Sequence, residues 1–231
     1  MSTAERVLSS VTPGSSAWWR ELHERLDRRR PRADGLTIER IVTEAVALVD
    51  DAGLDALTVR GLAARFGTGS ATLYRHVASR DELLVLIVDH VLGEVEAPEE
   101  SLPGRARVEA LAGELRQVLL RHPNLIPALP AAPLLGPNAI RGTALGLGSL
   151  IEAGFPEGVA VPGYLALLDY VLGSVFFDSA QTGRHGRPDD EVDLPHPPIE
   201  ELGSDEVFRF GLQAFLDGLL ARTAVGTADP R

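Results

Sequence analysis

The chain has no cysteine, no lysine and few aromatic residues. All 22 basic residues are arginine, and aromatic residues make up 5% of the 231 positions. The absence of cysteine excludes disulfides, a thiolate nucleophile and any cysteine-ligated metal site. Residues 1–30 also lack the basic head and apolar stretch of a signal peptide. We therefore expect a cytoplasmic protein.

One apolar stretch approaches the length of a membrane span. Asp169 is the only charged residue within residues 159–177. Pro162, Gly163 and Gly173 interrupt the stretch, and no basic flank anchors it. We predict no membrane association, and instead a helix buried on two sides, one against its own domain and one against a second subunit.

Charge is divided unevenly along the chain, whose formal net charge is −11. Residues 1–80 hold 12 arginines against 10 acidic residues, whereas residues 81–231 hold 10 arginines against 23 acidic residues. A basic end joined to an acidic body can orient itself on a polyanion with the body held away. Acidic surface is also common in soluble proteins, so charge alone is modest support for nucleic-acid binding.

The segment 37–94 predicts three short helices and the start of a fourth. Thr37 is a candidate N-cap, and apolar residues at spacings of three and four follow it as far as Gly53, which can end the first helix. Thr58 can cap a second helix through Phe66, after which Gly67 tolerates a positive φ. These signals place two helices on either side of a short connection.

The third helix, predicted over residues 70–76, has few side chains to bury. Its candidate inward residues are Ala71, Leu73 and Val77. The other side chains carry hydroxyls, a guanidinium and an imidazole, which suit phosphates and base edges in a major groove. A capping box of Ser79 and Glu82 starts the fourth helix directly behind it. This layout predicts a helix-turn-helix that binds DNA.

Several runs of the chain resemble the TetR family of bacterial transcriptional regulators. The runs 47–63 and 71–77 resemble its DNA-binding domain. Further runs look like the tetracycline-repressor type of ligand domain, namely 116–123, 136–138, 152–155 and 170–173. The resemblance implies a dimer that grips an operator with its two N-terminal domains, and a small molecule in the C-terminal domain that releases the DNA.

Carried over residue by residue, the family's DNA contacts fall on eight positions. These are Thr58, Arg60, Ser70, Thr72, Tyr74, Arg75, His76 and Arg80. Arg75 is the best base-reading candidate because arginine pairs bidentately with guanine, and Thr58 at a helix N-terminus suits a phosphate. Each residue also has a plain reading, such as a helix cap for Thr58 and a solvated side chain for Arg75. Val59 stands where relatives often carry Thr or Ser, which removes one phosphate contact.

We expect an all-α fold with an N-terminal three-helix helix-turn-helix domain and a larger C-terminal helical domain for ligand binding and dimerisation. The predicted divisions are an N-terminal extension in 1–35, a DNA-binding domain in 36–82, a ligand-binding and dimerisation domain in 83–223 and a disordered tail in 224–231. The extension contains a short helix around two tryptophans, followed by an arginine-rich arm. That arm either enters the minor groove or is a solvated linker.

The second domain is predicted to be helical throughout. The apolar periodicity indicates helices over residues 103–122, 124–129, 136–153, 159–177 and 200–222. The last two would give each subunit two helices of a four-helix homodimer interface. Residues 184–198, rich in Pro, Asp and Gly, are predicted as a loop.

The effector pocket is predicted to be mostly apolar and to use no metal or cofactor. Relatives that sense tetracycline use a histidine and an acidic residue near magnesium, but Leu129 and Phe177 fall at those positions here, and neither can bind a hard cation. The expected lining comes from some of Leu111, Leu115, Leu129, Leu147, Tyr170 and Phe177, with Asp169, Asn138 or His122 as polar handles. Each also has a reading as a plain core or capping residue.

Together these features predict a ligand-responsive DNA-binding regulator, in the simplest case a repressor that an apolar or aromatic small molecule releases from a palindromic operator. One alternative is a constitutive DNA-binding protein without an effector, and another is a helical small-molecule-binding protein or enzyme. Six scattered histidines, no cysteine and no Gly-x-Ser-x-Gly elbow disfavour an enzyme.

Overall fold

The computed structural model describes residues 11–27, 36–182 and 203–226, and within these ranges it contains helices and no strand. The all-α prediction is confirmed. The α-helices are α1 (Ser16–Asp27), α2 (Ile38–Ala52), α3 (Val59–Arg65), α4 (Ser70–Leu73), α5 (Arg80–Leu92), α6 (Gly104–Arg121), α7 (Pro137–Glu152), α8 (Glu157–Thr182) and α9 (Ser204–Gly226). Two 3-10 helices, Leu54–Ala56 and Pro123–Ala131, join them. The predicted arginine-rich arm and the loop 184–198 lie outside the described residues.

The chain forms two compact units. The first comprises the described residues as far as Glu94 together with His122–Gly142, and the second comprises Val95–Arg121 and the described residues from Thr143 onward. The segment 122–142, which the predicted ligand domain includes, therefore packs with the helix-turn-helix. The helix α9 also continues to Gly226, into the segment predicted as a tail.

The first two helices of the predicted helix-turn-helix begin and end where their local signals place them. Thr37 Oγ1 accepts a hydrogen bond from Arg40 N, and Gly53 ends α2 with a φ of +81°. Thr58 Oγ1 accepts from Gly61 N at the start of α3, and Gly67 follows α3 with a φ of +60°. The predicted boundaries are confirmed. They could be predicted from local sequence because a cap or a glycine acts within one helical turn.

The third helix is shorter than predicted. The α-helix α4 ends at Leu73, and residues 74–76 continue as turns. Leu73 and Val77 are fully buried, but Ala71 is exposed, contrary to its predicted inward position. Residues four apart share a helix face whereas residues two apart do not. Ala71 therefore lies opposite Leu73 on the solvent side.

The second unit buries an apolar core between its longer helices. Residues of α6, α7, α8 and α9 and of the α7–α8 turn meet in this core, namely Val108, Ala112, Leu150, Phe155, Ala160, Leu167, Val171, Phe208, Leu212 and Leu216. Leu111 and Leu115 of α6, which were predicted to line the effector pocket, are partly buried, whereas Arg116 of the same helix is buried. Helices of this length need one continuous apolar face to be stable, and that face is present.

Among the described residues, α8 is long and apolar enough by length and composition to cross a membrane. Pro162 lies inside it and does not interrupt it. Its buried residues Ala160, Leu167 and Val171 face the core of the second unit, while other apolar residues remain exposed. Core helices of soluble proteins meet the same criteria of length and composition, so these criteria alone are weak evidence for a membrane span.

Candidate DNA-binding surface and effector-binding residues

The predicted reading element is the segment 70–77, comprising α4 and the turn after it, which we call the recognition segment. Leu73 and Val77 anchor it in the interior. Tyr74 is 56% exposed and Arg75 is also exposed, while Ser70, Thr72 and His76 are partly exposed. The recognition segment thus presents hydroxyl, guanidinium and imidazole groups to solvent from a buried apolar base, which is the geometry needed to enter a groove of DNA.

Thr58 lies exposed at the N-terminus of α3, where its hydroxyl already acts as a cap. Its Oγ1 accepts from Gly61 N at 2.9 Å, and its own amide donates to Ala56 O at 2.8 Å. A Cβ on Gly61 would lie 3.0 Å from Thr58 Oγ1, so this glycine leaves room for the cap. Since the Thr58 amide already donates to Ala56, a phosphate would meet the hydroxyl proton of Thr58 and not its amide.

Arg80 is less available for phosphate than its sequence position indicates. Its Nε donates to Leu57 O at 2.9 Å, and its Nη2 donates to Leu54 O at 3.0 Å. These bonds tie the start of α5 to the 3-10 helix Leu54–Ala56. Two of the five guanidinium donors are thereby directed into the protein, so any phosphate contact rests on the remaining donors. Arg60, by contrast, is exposed on α3.

A surface arginine that sequence reasoning did not select joins the first two helices of the helix-turn-helix. Arg65 on α3 pairs with Glu44 at 2.6 Å and with Asp51 at 2.8 Å, both on α2. Hydrogen bonding to the Asp51 carboxylate is the main reason that the pKa of Arg65 is raised. The pairs are solvent-exposed, so they orient the two helices more than they stabilise them.

Two predicted effector contacts, His122 and Asn138, are engaged inside the first unit. His122 Nδ1 lies 2.8 Å from an Asp50 carboxylate oxygen, and Nε2 lies 3.3 Å from Glu94. Asn138 donates from its backbone N and its Nδ2 to the buried Asp89 carboxylate, which caps the start of α7. These bonds give both residues a structural role, and they do so because the segment 122–142 packs on α2 and α5.

The other predicted effector contacts are divided between the interior and the surface. Leu129 is buried in the first unit, whereas Leu111, Leu115 and Leu147 are partly buried in the second. Asp169 is exposed and Phe177 is 66% exposed, because both lie on the outward side of α8. The nine predicted contacts therefore do not form one cluster within either unit.

Tyr170 lies at the contact between α8 and α9. Its hydroxyl donates to Phe208 O at 2.8 Å, and its ring stacks on the Phe208 ring with a centroid distance of 5.3 Å. Burial raises the pKa of Tyr170, and the nearby Arg116 charge opposes that shift. Tyr170 is therefore held as a neutral donor within the helix packing.

A polar pair that sequence reasoning missed lies beside Leu111 in the second unit. Thr143 Oγ1 and Tyr164 Oη are 3.1 Å apart. A Cβ on Gly146 would lie 2.5 Å from the Tyr164 ring and 3.7 Å from Leu111, so the glycine admits the ring between α7 and α8. The sequence signal for this close approach is Gly146, a glycine inside the apolar pattern of α7.

The described second unit also holds a groove of about 270 Å³ between α6 and α9. Nine residues line it, six of them polar or charged by type, and none is a predicted effector contact: Glu109, Gly113, Arg116, Gln117, Asp205, Phe208, Arg209, Leu212 and Gln213. Sequence reasoning used Arg116 only as a point of family resemblance. The structure shows that Arg116 is buried and pairs with residues of two other helices.

Arg116 is a buried cation, 1% exposed, that joins three helices. It pairs with Asp178 on α8 and with Asp205 on α9, and its Nη2 donates to Ser204 Oγ at 3.1 Å. The guanidinium also lies over the Phe208 ring, 5.0 Å from its centroid. A buried guanidinium requires such partners. This one side chain therefore holds the C-terminal end of α8 and the N-terminal end of α9.

Comparison with known proteins agrees with this arrangement. Residues 41–87 match the bacterial regulatory proteins of the tetR family, and residues 97–200 match the tetracyclin repressor-like C-terminal domain. The HTH-type transcriptional repressor DrrR1 of Streptomyces coeruleorubidus is 33% identical over 242 residues, covering 93% of this chain and 90% of that protein. An HTH-type transcriptional regulator of Saccharopolyspora erythraea is 36% identical over 180 residues, covering 78% and 74%.

A solved structure shares the fold. The Streptomyces coelicolor TetR family protein ActR in complex with actinorhodin superposes with a TM-score of 0.72 and 36% identity, covering 80% of this chain and 96% of that one. The helix-turn-helix and the helical second unit thus define a DNA-binding transcriptional regulator. The chain belongs to the tetR family of bacterial regulatory proteins. The members of this family are regulators of transcription and not enzymes.

Proposed function

We propose that this protein is a cytoplasmic, homodimeric repressor that binds a palindromic operator and is released by an apolar or aromatic small molecule. The observation that carries the proposal is the recognition segment, whose buried Leu73 and Val77 direct its polar side chains to solvent. In this role Arg75 and Thr72 read base edges, while Thr58, Arg60 and Tyr74 contact phosphates. Ser70, His76 and the remaining donors of Arg80 complete the contact surface.

The effector is proposed to bind in the second unit. Leu111, Leu115 and Leu147 supply partly buried apolar surface there, and the Thr143–Tyr164 pair supplies polar groups that fix an orientation. The similar ActR structure is a complex with actinorhodin, and DrrR1 is a repressor, which supports an effector-released repressor here. The protein itself performs no catalysis in this scheme.

The homodimer is proposed to form through α8 and α9. Each helix buries one face in its own subunit and leaves large apolar side chains exposed on another: Val161, Leu165 and Phe177 on α8, and Val207, Phe210 and Leu220 on α9. An exposed apolar face of this kind marks a protein interface, and a second copy offers the same two helices in return.

The test of DNA reading is Arg75→Ala in the full chain. We expect the operator to lose its advantage over non-specific DNA by about 1–3 kcal/mol, because one bidentate base contact disappears. Titration of labelled operator and of scrambled DNA at several salt concentrations measures this. Arg222→Ala removes the same charge at an exposed position of α9 and serves as the control. Unchanged discrimination in Arg75→Ala, or no protected palindrome in a footprint of the parent protein, would contradict the proposal.

The test of dimerisation is Phe210→Glu, which places a charge on the exposed face of α9. Phe210 is 74% exposed in the single subunit, so the change should leave the subunit fold intact and yield monomers. Sedimentation at micromolar concentration measures the state. Gln213→Glu adds the same charge on the side of α9 that faces α6 and should remain dimeric. A parent protein that sediments as a monomer would rule the interface out.

The test of the effector separates a regulated repressor from a constitutive DNA-binding protein. A ligand of the second unit raises the melting temperature of the protein by mass action and releases it from operator DNA. Thermal shift with a panel of aromatic compounds identifies such a ligand, and Gly146→Leu should abolish its effect because the new side chain meets Tyr164. Gly148→Leu, at an open position of the same helix, is the control. Binding that does not release the operator would favour the constitutive alternative.

A further inference from the structure

The N-terminal helix α1 is packed into the first unit through its two tryptophans. Trp18 is 4% exposed and Trp19 is 7% exposed, and their rings meet edge to face with centroids 4.9 Å apart. Leu22, one turn further on, is buried as well. This helix lies before the family's helix-turn-helix match, which begins at residue 41. It is nevertheless built into the interior of the unit that carries the recognition segment.

Glu82 on α5 is the residue that α1 reaches. Its carboxylate is nearly buried, with the residue 6% exposed, and each of its oxygens has a donor from a different element. Trp18 Nε1 donates to Oε1 at 3.0 Å, and Ala78 N donates to Oε2 at 2.6 Å. In a complete capping box this carboxylate would accept from Ser79 N, so its position is set by α1 and by Ala78 instead.

Ala78 follows directly on the recognition segment. With an α-helix of only 4 residues, α4 has too little internal hydrogen bonding to hold its own orientation. Its C-terminal end is therefore held by the buried Leu73 and Val77 and by the bond from Ala78 N to Glu82. Tyr74 and Arg75, the proposed DNA contacts, lie between these anchors, so movement of Ala78 moves them.

We propose that Trp18 and Glu82 are positioning residues for operator recognition, through which α1 orients the recognition segment without itself having to touch DNA. Trp18 holds one oxygen of Glu82, and the other oxygen holds the backbone at the end of the recognition segment. A buried carboxylate that loses one of two donors reorients or is left partly unsatisfied, and the bond to Ala78 weakens with it. This inference rests on the proposed operator binding by the recognition segment.

The experiment is a double-mutant cycle in the full chain with Trp18→Phe and Glu82→Gln. Trp18→Phe removes the indole N–H, and Glu82→Gln keeps the size of the side chain but turns an NH₂ group toward one of its two donors. Each single change should weaken operator binding by about three- to tenfold, the net effect of one ordinary hydrogen bond. In the double variant the glutamine oxygen can serve Ala78 alone, so the combined loss should be smaller than the product of the single losses.

Trp19→Phe is the matched control. Trp19 is as deeply buried as Trp18, but its Nε1 has no hydrogen-bond partner in the described part of the chain. Trp19→Phe should therefore lower the urea midpoint of unfolding about as much as Trp18→Phe does. Its operator dissociation constant should stay within about twofold of the parental value, since only packing is lost. Affinity for scrambled DNA should change less than operator affinity in all variants, because the proposed phosphate contacts of Thr58 and Arg60 lie outside the recognition segment.

Two results would overturn the positioning role. One is parental operator affinity in folded Trp18→Phe and Glu82→Gln. The other is an equal loss in Trp18→Phe and Trp19→Phe, which would reduce the effect to stability. Operator binding by the parent protein and its loss in Arg75→Ala test the proposed function separately. A failure of the positioning role is thus distinguishable from a failure of DNA binding. Circular dichroism at the assay temperature confirms that each variant is folded. Glu82→Gln also conserves the volume of the side chain.

Discussion

The two compact units of this protein both bury an apolar core but differ in the length of their helices. The first unit uses short helices, of 4 residues in α4 and 15 in α2, and fastens their ends by side-chain bonds to backbone groups. The second unit uses helices of 18, 26 and 23 residues that share an apolar core around one buried arginine. Short helices are marginal alone, so the shortest one, α4, needs bonds that fix its ends in addition to its packing.

That difference matches the separate tasks of the two units. DNA recognition requires side chains held in one geometry, and caps at Thr37, Thr58 and Ser79 define where each helix begins. Effector binding and dimerisation require apolar surface that can be shared with a ligand or a partner. In the second unit, α8 and α9 leave six large apolar side chains exposed, Phe177 and Phe210 among them. Substitutions in the recognition segment should therefore act mainly on DNA binding, whereas substitutions in the second unit should act on its stability or on dimerisation.

The largest expected effect is that of Arg116→Met. The substitution removes a buried guanidinium together with its pairs to Asp178 and Asp205, and it should cost about 3–5 kcal/mol of folding free energy. Urea unfolding at a fixed protein concentration measures the loss. Arg105→Met, which breaks the exposed pair with Asp217, is the matched control and should cost less than about 1 kcal/mol. Similar losses in the two variants would show that burial of the arginine contributes nothing.

A smaller effect separates capping from DNA contact in the first unit. Thr37→Ala and Thr58→Ala each remove an exposed N-cap with a hydrogen bond of 3.2 Å or 2.9 Å, and each should cost about 1 kcal/mol of stability. Only Thr58→Ala should also weaken operator binding, because its hydroxyl lies at the proposed phosphate site. Thermal melts and operator titrations on both variants measure the two effects. Equal operator affinities would assign Thr58 to capping alone.

The smallest expected effect concerns alkaline stability and Tyr170. Burial raises its pKa in the folded state above the ordinary value of 10.0, so its stabilising contribution is complete below that pH. The contribution is lost as pH rises toward the folded-state pKa. Melting curves between about pH 8 and pH 11 should therefore fall less steeply for Tyr170→Phe than for the parent protein. Tyr74→Phe, at an exposed position of the first unit, is the control and should retain the parental profile.

Local signals predicted the helices of the first unit well. Thr37, Gly53 and Thr58 act on residues within a few positions of themselves, and the structure confirms each of these boundaries. The length of α4 and the exposure of Ala71 were predicted incorrectly, since an alanine is compatible with either face of a helix. The DNA-contacting residues stay a prediction whose geometry is favourable at Tyr74 and Arg75.

The effector site was less predictable. Composition and periodicity identified partly buried apolar residues such as Leu111, but no local pattern indicates which polar groups lie beside them. The Thr143–Tyr164 pair joins two helices, and it depends on the space left by Gly146. His122 shows the reverse case, because a histidine near a helix end is equally suited to a ligand and to the carboxylate of Asp50.

The sequence alone determined the all-α class and the helix-turn-helix, because periodicity, caps and glycine turns act within one or two helical turns. The family followed from the resemblance of runs such as 47–63 and 71–77. Only the tertiary structure decided that Arg116 is buried and that Trp18 reaches the end of the recognition segment through Glu82. Trp18 and Glu82 lie 64 positions apart, and Arg116 and Asp178 lie 62 positions apart. Contacts at such separation depend on how helices pack, and a single sequence carries no local mark of that packing.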